Sequence, residues 1–229
     1  MKINIPSLLD FYDGYRAENS EHVTAITSFL GVDLMLGILR HYFQGQEAEC
    51  RITTGEPTAI EGRQRLDRWV VVEQGGHMVW YQTEVKSWSV YTAGVPRTLD
   101  KSMNERQINN YAYDMYHRQW NERTGSFTDY ENLGKVLQPM NPPEGYSEGS
   151  SEIRPLVCYW YPITSSGRTR LTNHFFTLAT RSSSFSEVDI FSASLYLRHL
   201  AAMGTTQIDI YTGPLTTTLK LMNSFIISH

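Results

Sequence analysis

A chain of 229 residues, 41% apolar and 19% charged, is long enough to bury a core and does not have the composition of a disordered segment. Its formal net charge of −4 lacks the basic footprint that announces a nucleic-acid binder, although a nuclease that gathers carboxylates around a metal ion does not need one. No apolar run approaches the roughly 18 residues of a membrane span, and the first residues lack a signal peptide's layout. Two distant cysteines, Cys50 and Cys158, make neither a zinc nor an iron–sulfur framework. The expectation is therefore a cytoplasmic chain, one domain over residues 1–229, with no membrane contact.

In chain order, residues 20–44 predict a long helix. Ser20 can cap it, and Val23, Ile26, Leu30, Leu34 and Ile38 recur at helical spacing. Asp33 interrupts that apolar stripe, where a charge is costly unless it is paired, metal-bound or able to reach solvent. Residues 48–54 predict a strand. Two further strands flank Gly75-Gly76, a strong two-residue hairpin signal. Residues 101–120 carry no Gly or Pro and predict a second helix, whereas the Gly- and Pro-rich stretch 125–154 reads as a long loop or insertion. "PLVCYWYPI" and "NHFFTLAT" then predict strands, residues 185–203 a helix, and "QIDIYT" a last strand. The order is that of an α/β domain with a central mixed sheet flanked by helices.

The hairpin fixes a register. With Gly75-Gly76 as its loop, Gln74 faces His77 and facing positions sum to 151, which sets Asp67 opposite Glu84. Lys86 lies two residues on, on the face of Glu84. Two opposed carboxylates destabilise a sheet unless a shared proton, a divalent cation or a neighbouring lysine compensates. A hard ion such as Mg²⁺ suits carboxylate oxygens with water and phosphate, and Lys86 can then orient an attacking water. Only five of the 20 basic residues are lysine, which makes the placement of Lys86 after Glu84 less ordinary. The plain alternative is a solvated patch in which Lys86 neutralises Glu84.

An Asp leading one strand and Glu84-Val85-Lys86 on the next, behind a helix and a first strand, resembles the PD-(D/E)XK nuclease superfamily. Gln107-Ile108-Asn109-Asn110-Tyr111 on the following helix resembles the Q-x-x-x-Y motif of its RecB-like branch, which includes lambda exonuclease. The resemblance covers about residues 20 to 120. It implies a restriction-endonuclease-like core in α-β-β-β-α-β order, with the later strands and helix as additions. It further implies a Mg²⁺- or Mn²⁺-dependent deoxyribonuclease. In it Asp67, Glu84 and the Val85 carbonyl hold the metal, Lys86 assists the water, and Gln107 and Tyr111 support phosphate or Lys86. An acidic residue of the first helix often reaches the metal in this superfamily, a place that Asp33, or its rival Glu21, fills. DNA is the implied partner, with RNA and a homo-oligomeric state left open. The other reading is a catalytically inactive nuclease-fold protein that binds nucleic acid or assembles with protein. Leu66 stands where the superfamily's name has Pro, and His22 is the candidate for that branch's metal-binding histidine.

Other features divide between solvent and core. Arg63, Arg65, Arg68, Arg168 and Arg170 can hold phosphates, though arginines of this sort are usually solvated. Tyr159-Trp160-Tyr161 can stack bases, but strand alternation sends part of it into the core. His174 and His199 lack a partner at metal-ligand spacing and read as structural.

Overall fold

The computed structural model describes residues 1–13, 20–52, 66–86, 135–160, 174–179 and 182–211. Along the chain these form β1 (Lys2–Asn4), α1 (Ile5–Asp13), α2 (Ser20–Gly45), β2 (Glu49–Ile52), β3 (Arg68–Gln74) and β4 (His77–Lys86). A 3₁₀ turn at Lys135–Leu137 precedes β5 (Ser151–Tyr159), β6 (Phe175–Ala179), β7 (Glu187–Ser192), α3 (Ala193–Ala202) and β8 (Gln207–Asp209). The architecture is mixed α/β, with a six-stranded sheet ordered β2-β3-β4-β5-β7-β6 and a separate ribbon in which β1 pairs with β8. Among the described residues no helix is long and apolar enough to cross a membrane.

The hairpin forms because Gly75 and Gly76 accept positive φ, 60° and 80°, which a two-residue turn matched to strand twist requires. Its ladder runs from Gln74↔His77 to Arg68↔Thr83, so the expected register holds along the whole of β3. β2 and β3 pair antiparallel, while β4, β5 and β7 lie parallel to one another. Their position at the sheet's centre accounts for the unbroken burial from Trp80 to Val85. Pro155 is tolerated within β5 because pairing with β7 begins only at the next residue, Leu156.

One face of the sheet presents Val70, Val72, Tyr81, Leu156 and Phe191 to α2, α1 and α3. Every residue from Leu34 to Leu39 is buried, more than a single apolar stripe explains. Part of the reason is that Ile210 and Tyr211, which follow β8, pass against α2 at Gly37. A Cβ on Gly37 would stand 2.8 Å from the Tyr211 carbonyl oxygen, so only glycine permits that approach. The opposite face carries Trp69, Val71, Trp80, Val157 and Ile190, and Val136 and Met140 pack against it.

Two expectations change. Residues 185–203 are not one helix, because Glu187–Ser192 form β7, paired on both sides by β5 and β6, and α3 starts only at Ala193. An apolar run of β-branched and aromatic residues suits a buried strand as well as a helix, and pairing on both edges decides it. The expected loop at 125–154 is anchored where it is described. Gln82, fully buried on β4, donates through Nε2 to the carbonyls of Val136 and of Gln138 (3.0 Å) and accepts the Met140 N–H at 3.3 Å. β5 has already begun at Ser151. The N-terminal helix α1 was not anticipated. Asn4 caps it, its Oδ1 accepting the Ser7 N–H at 2.9 Å, and Pro6 sits in the first turn, where no intrahelical donor is needed.

Candidate active site

The charges of the hairpin collect where the β3–β4 ladder ends. In an antiparallel ladder alternate residues turn their N–H and C=O toward a given neighbour. Arg68↔Thr83 is the last pair, so the next Val85 N–H directed at β3 has no backbone carbonyl to meet there. Asp67, one residue before β3, supplies the acceptor instead, its Oδ2 lying 2.7 Å from the Val85 nitrogen. Arg68 Nη1 donates to the Asp67 carbonyl at 2.7 Å and holds the bend. On the other edge of β4 the Lys86 carbonyl accepts the Trp160 N–H at 3.2 Å. By the same alternation the Val85 carbonyl faces the Asp67 side.

Glu84 shares its face of β4 with Gln82 and Lys86. It is 2% exposed, and its Oε1 lies 2.9 Å from Lys86 Nζ. Lys86 keeps part of its side chain in solvent. A buried carboxylate is costly unless paired, and this contact supplies a pair. Asp67 is also felt across the sheet, since the Cys158 thiol, paired in register with Val85, is raised well above its ordinary range by burial and further by the Asp67 charge.

Asp67 lies on the Val85 N–H and Glu84 on Lys86, two contacts made where the β3–β4 ladder ends. Asp33, on α2, is close enough to feel Arg68: burial raises its carboxyl and the Arg68 charge opposes the rise. Gln107, Tyr111, Arg63, Arg65, Arg168, Arg170 and Tyr161 lie outside the described residues, as do the side chains of Glu21 and His22. Tyr159 and Trp160 are buried in the two opposite cores, which corrects the base-stacking expectation for both. Among the described residues no three His, Cys, Asp or Glu side chains converge as a metal centre built from side chains alone would require.

A second charged cluster escaped the sequence reading. Asp189, buried on β7, takes a two-pronged contact from Arg154, with Nε at 2.8 Å and Nη2 at 2.9 Å, and accepts the Thr177 hydroxyl at 2.6 Å. Glu152 and Glu187 lie 3.6 and 3.7 Å from the same guanidinium. Burial and the Asp189 charge both raise the Tyr81 hydroxyl pKa. The only sequence signal was an acid between apolar neighbours, Asp189 within "EVDIF". Its partner is 35 residues away and cannot be paired with it from spacing.

Fold and site together define a mixed α/β protein with a carboxylate–peptide–lysine cluster at the open end of a central hairpin. Comparison of the chain with protein-family models, curated proteins and solved structures gives no match, so no particular family is assigned.

Proposed function

We propose that the chain is a metal-dependent nuclease that hydrolyses phosphodiester bonds in DNA through Asp67, Glu84 and Lys86. The observation that carries this reading is the Asp67 carboxylate on the Val85 peptide, 2.7 Å from its nitrogen, beside the Glu84–Lys86 pair. Support also comes from topology. A long helix, three antiparallel strands and a fourth strand parallel to the third are compatible with the α-β-β-β-α-β order of the PD-(D/E)XK resemblance, whose second helix, expected at 101–120, lies outside the described residues. The fold is accordingly read as restriction-endonuclease-like.

In this reading Asp67, Glu84 and the Val85 carbonyl hold Mg²⁺ or Mn²⁺, with Asp33 as the acidic residue of the first helix. The ion supplies Lewis-acid stabilisation of the phosphate and a more acidic water. Asp67 can accept the Val85 N–H on one oxygen and keep the other for the ion. Lys86 neutralises Glu84 at rest. With the phosphodiester bound, its ammonium orients the attacking water and offsets charge developing on the phosphate. Gln107 and Tyr111 take the supporting role for phosphate or Lys86.

Incubation with circular and linear DNA and with RNA, in the presence of Mg²⁺ or Mn²⁺, tests the assignment. Cleavage of DNA is expected to fall by about 10²–10³-fold in Lys86→Ala, the loss typical of removing one charge-stabilising donor. Undiminished cleavage in Lys86→Ala or Asp67→Asn would sink it. One observation favours a non-catalytic module with the same fold, since Asp67, Glu84 and Lys86 each already satisfy a neighbour within the hairpin. Calorimetry separates the two readings. A catalytic centre binds Mn²⁺ in a manner lost in Glu84→Gln, and a scaffold shows no such binding.

A further inference from the structure

We propose that the β2 edge of the sheet is a self-association surface, which pairs antiparallel with β2 of a second copy of this chain. Among the described residues β2 is paired with β3 alone, so its other side is an edge of the sheet. Cys50 is buried on the face that α2 covers, and Ile52 packs against the same core. Glu49 and Arg51 alternate with them and stand exposed on the opposite face. The sheet therefore ends in one acid and one base, neighbours on a single face.

The order of these charges selects the occupant. A two-fold axis normal to the sheet joins two copies edge to edge, reverses the strand direction and keeps corresponding faces together, so the same patch serves both copies. With the axis at Glu49 or at Arg51, that residue meets its own counterpart and like charges oppose. With the axis at Ile52, neither charge meets another. Only with the axis at Cys50 does Glu49 of each copy face Arg51 of the other, while Ala48 faces Ile52. Facing side chains of an antiparallel ladder have Cβ atoms about 4.5–5.5 Å apart, within reach of an ion pair. Charge on a short edge strand ordinarily discourages pairing, but a base two residues after an acid on one face complements an antiparallel copy.

The chain's own sheet supplies a second observation. Glu49 stands in register with Glu73 of β3, so two acids oppose each other beside the open edge. Such a pair destabilises a sheet unless a cation answers it. Among the described residues neither acid forms an ion pair. Arg51 of the second copy comes to lie beside Glu49 on its open side and supplies that cation. A four-residue strand buries less than a standard interface, so the association is weak, with Kd between about 1 μM and 1 mM.

Sedimentation equilibrium of the full chain from about 1 μM to 1 mM tests the proposal. Wild type is expected to form dimers in this range. Glu49→Arg and Arg51→Glu each bring like charges together at both contacts, and each should weaken dimerisation by about tenfold or more. An equimolar mixture of the two single variants restores unlike pairs at both contacts and should associate as wild type does. The double variant Glu49→Arg, Arg51→Glu should dimerise likewise. Glu49→Arg also separates association from folding. Within one chain it turns the opposition to Glu73 into an attraction, so its urea midpoint should rise even as its dimer is lost. Wild type that stays monomeric at about 1 mM, single variants that dimerise as wild type does, or a mixture that stays monomeric overturns the proposal.

Discussion

Asp67 has two roles that substitution can separate. Its Oδ2 accepts the Val85 N–H at 2.7 Å, and in the proposed reaction its carboxylate also carries charge to a metal. Asp67→Ala removes both, and leaves a part-buried N–H at the sheet's centre without its acceptor. A hydrogen bond to a charged group contributes about 1.5–3 kcal/mol, and Asp67→Ala should lower the unfolding free energy by that amount. Asp67→Asn keeps a side-chain oxygen on the Val85 N–H and loses only charge assistance, so a neutral bond of about 0.5–1.5 kcal/mol survives. Urea denaturation of the three proteins should therefore rank wild type, Asn and Ala in falling stability, with the Asn variant nearer wild type. Mn²⁺ affinity should follow another order, with Asn and Ala similarly impaired. If Asn and Ala destabilise equally, the carboxylate does not act as the ladder's replacement carbonyl, and the geometric account of this site is wrong.

Three further outcomes follow from buried polar groups. Gln82→Leu removes three bonds to residues 136–140 and should cost about 2–4 kcal/mol. Limited proteolysis should show new cleavage between residues 135 and 146. Arg154→Met strands the Asp189 carboxylate and should cost about 3–5 kcal/mol in urea unfolding, most of it recovered in the double variant Arg154→Met, Asp189→Leu. The Asp33 carboxyl is raised on folding, so its contribution is present in acid and is lost as the pH climbs through its folded value. Asp33→Asn should thus raise Tm at pH 7, with a gain that shrinks as the pH is lowered toward 3.8. A gain that is the same at pH 4.5 and pH 7 would contradict the burial assigned to this group.

What could be read from the sequence was mostly local. Gly75-Gly76 carries its own turn geometry, and from it the pairing of every residue of β3 with β4 follows by counting. The extent of α2 follows from periodicity in the same way. The strand β7 did not, because "EVDIFS" becomes a strand only through β5 and β6, brought in from distant parts of the chain. Asp67 was found by counting, but its bond to the Val85 N–H depends on where β3 stops pairing, which no spacing specifies. The meeting of Asp189 with Arg154 is made by the fold and not by any sequence interval.

The ribbon of β1 and β8 joins residues 2–4 to residues 207–209, and the N–H of Ile5 also bonds the Thr206 carbonyl. These partners are about as far apart along the chain as the described residues allow. During synthesis β1 has no partner until all six strands of the sheet have been made. Ordering so long a loop adds only slowly to the entropic cost, yet contacts of such separation slow folding. The ribbon and the crossing of its end over Gly37 are thus late events. Until they occur, the side of α2 that Ile210 and Tyr211 cover at Gly37 is open to water, and transiently exposed apolar surface of this kind favours aggregation.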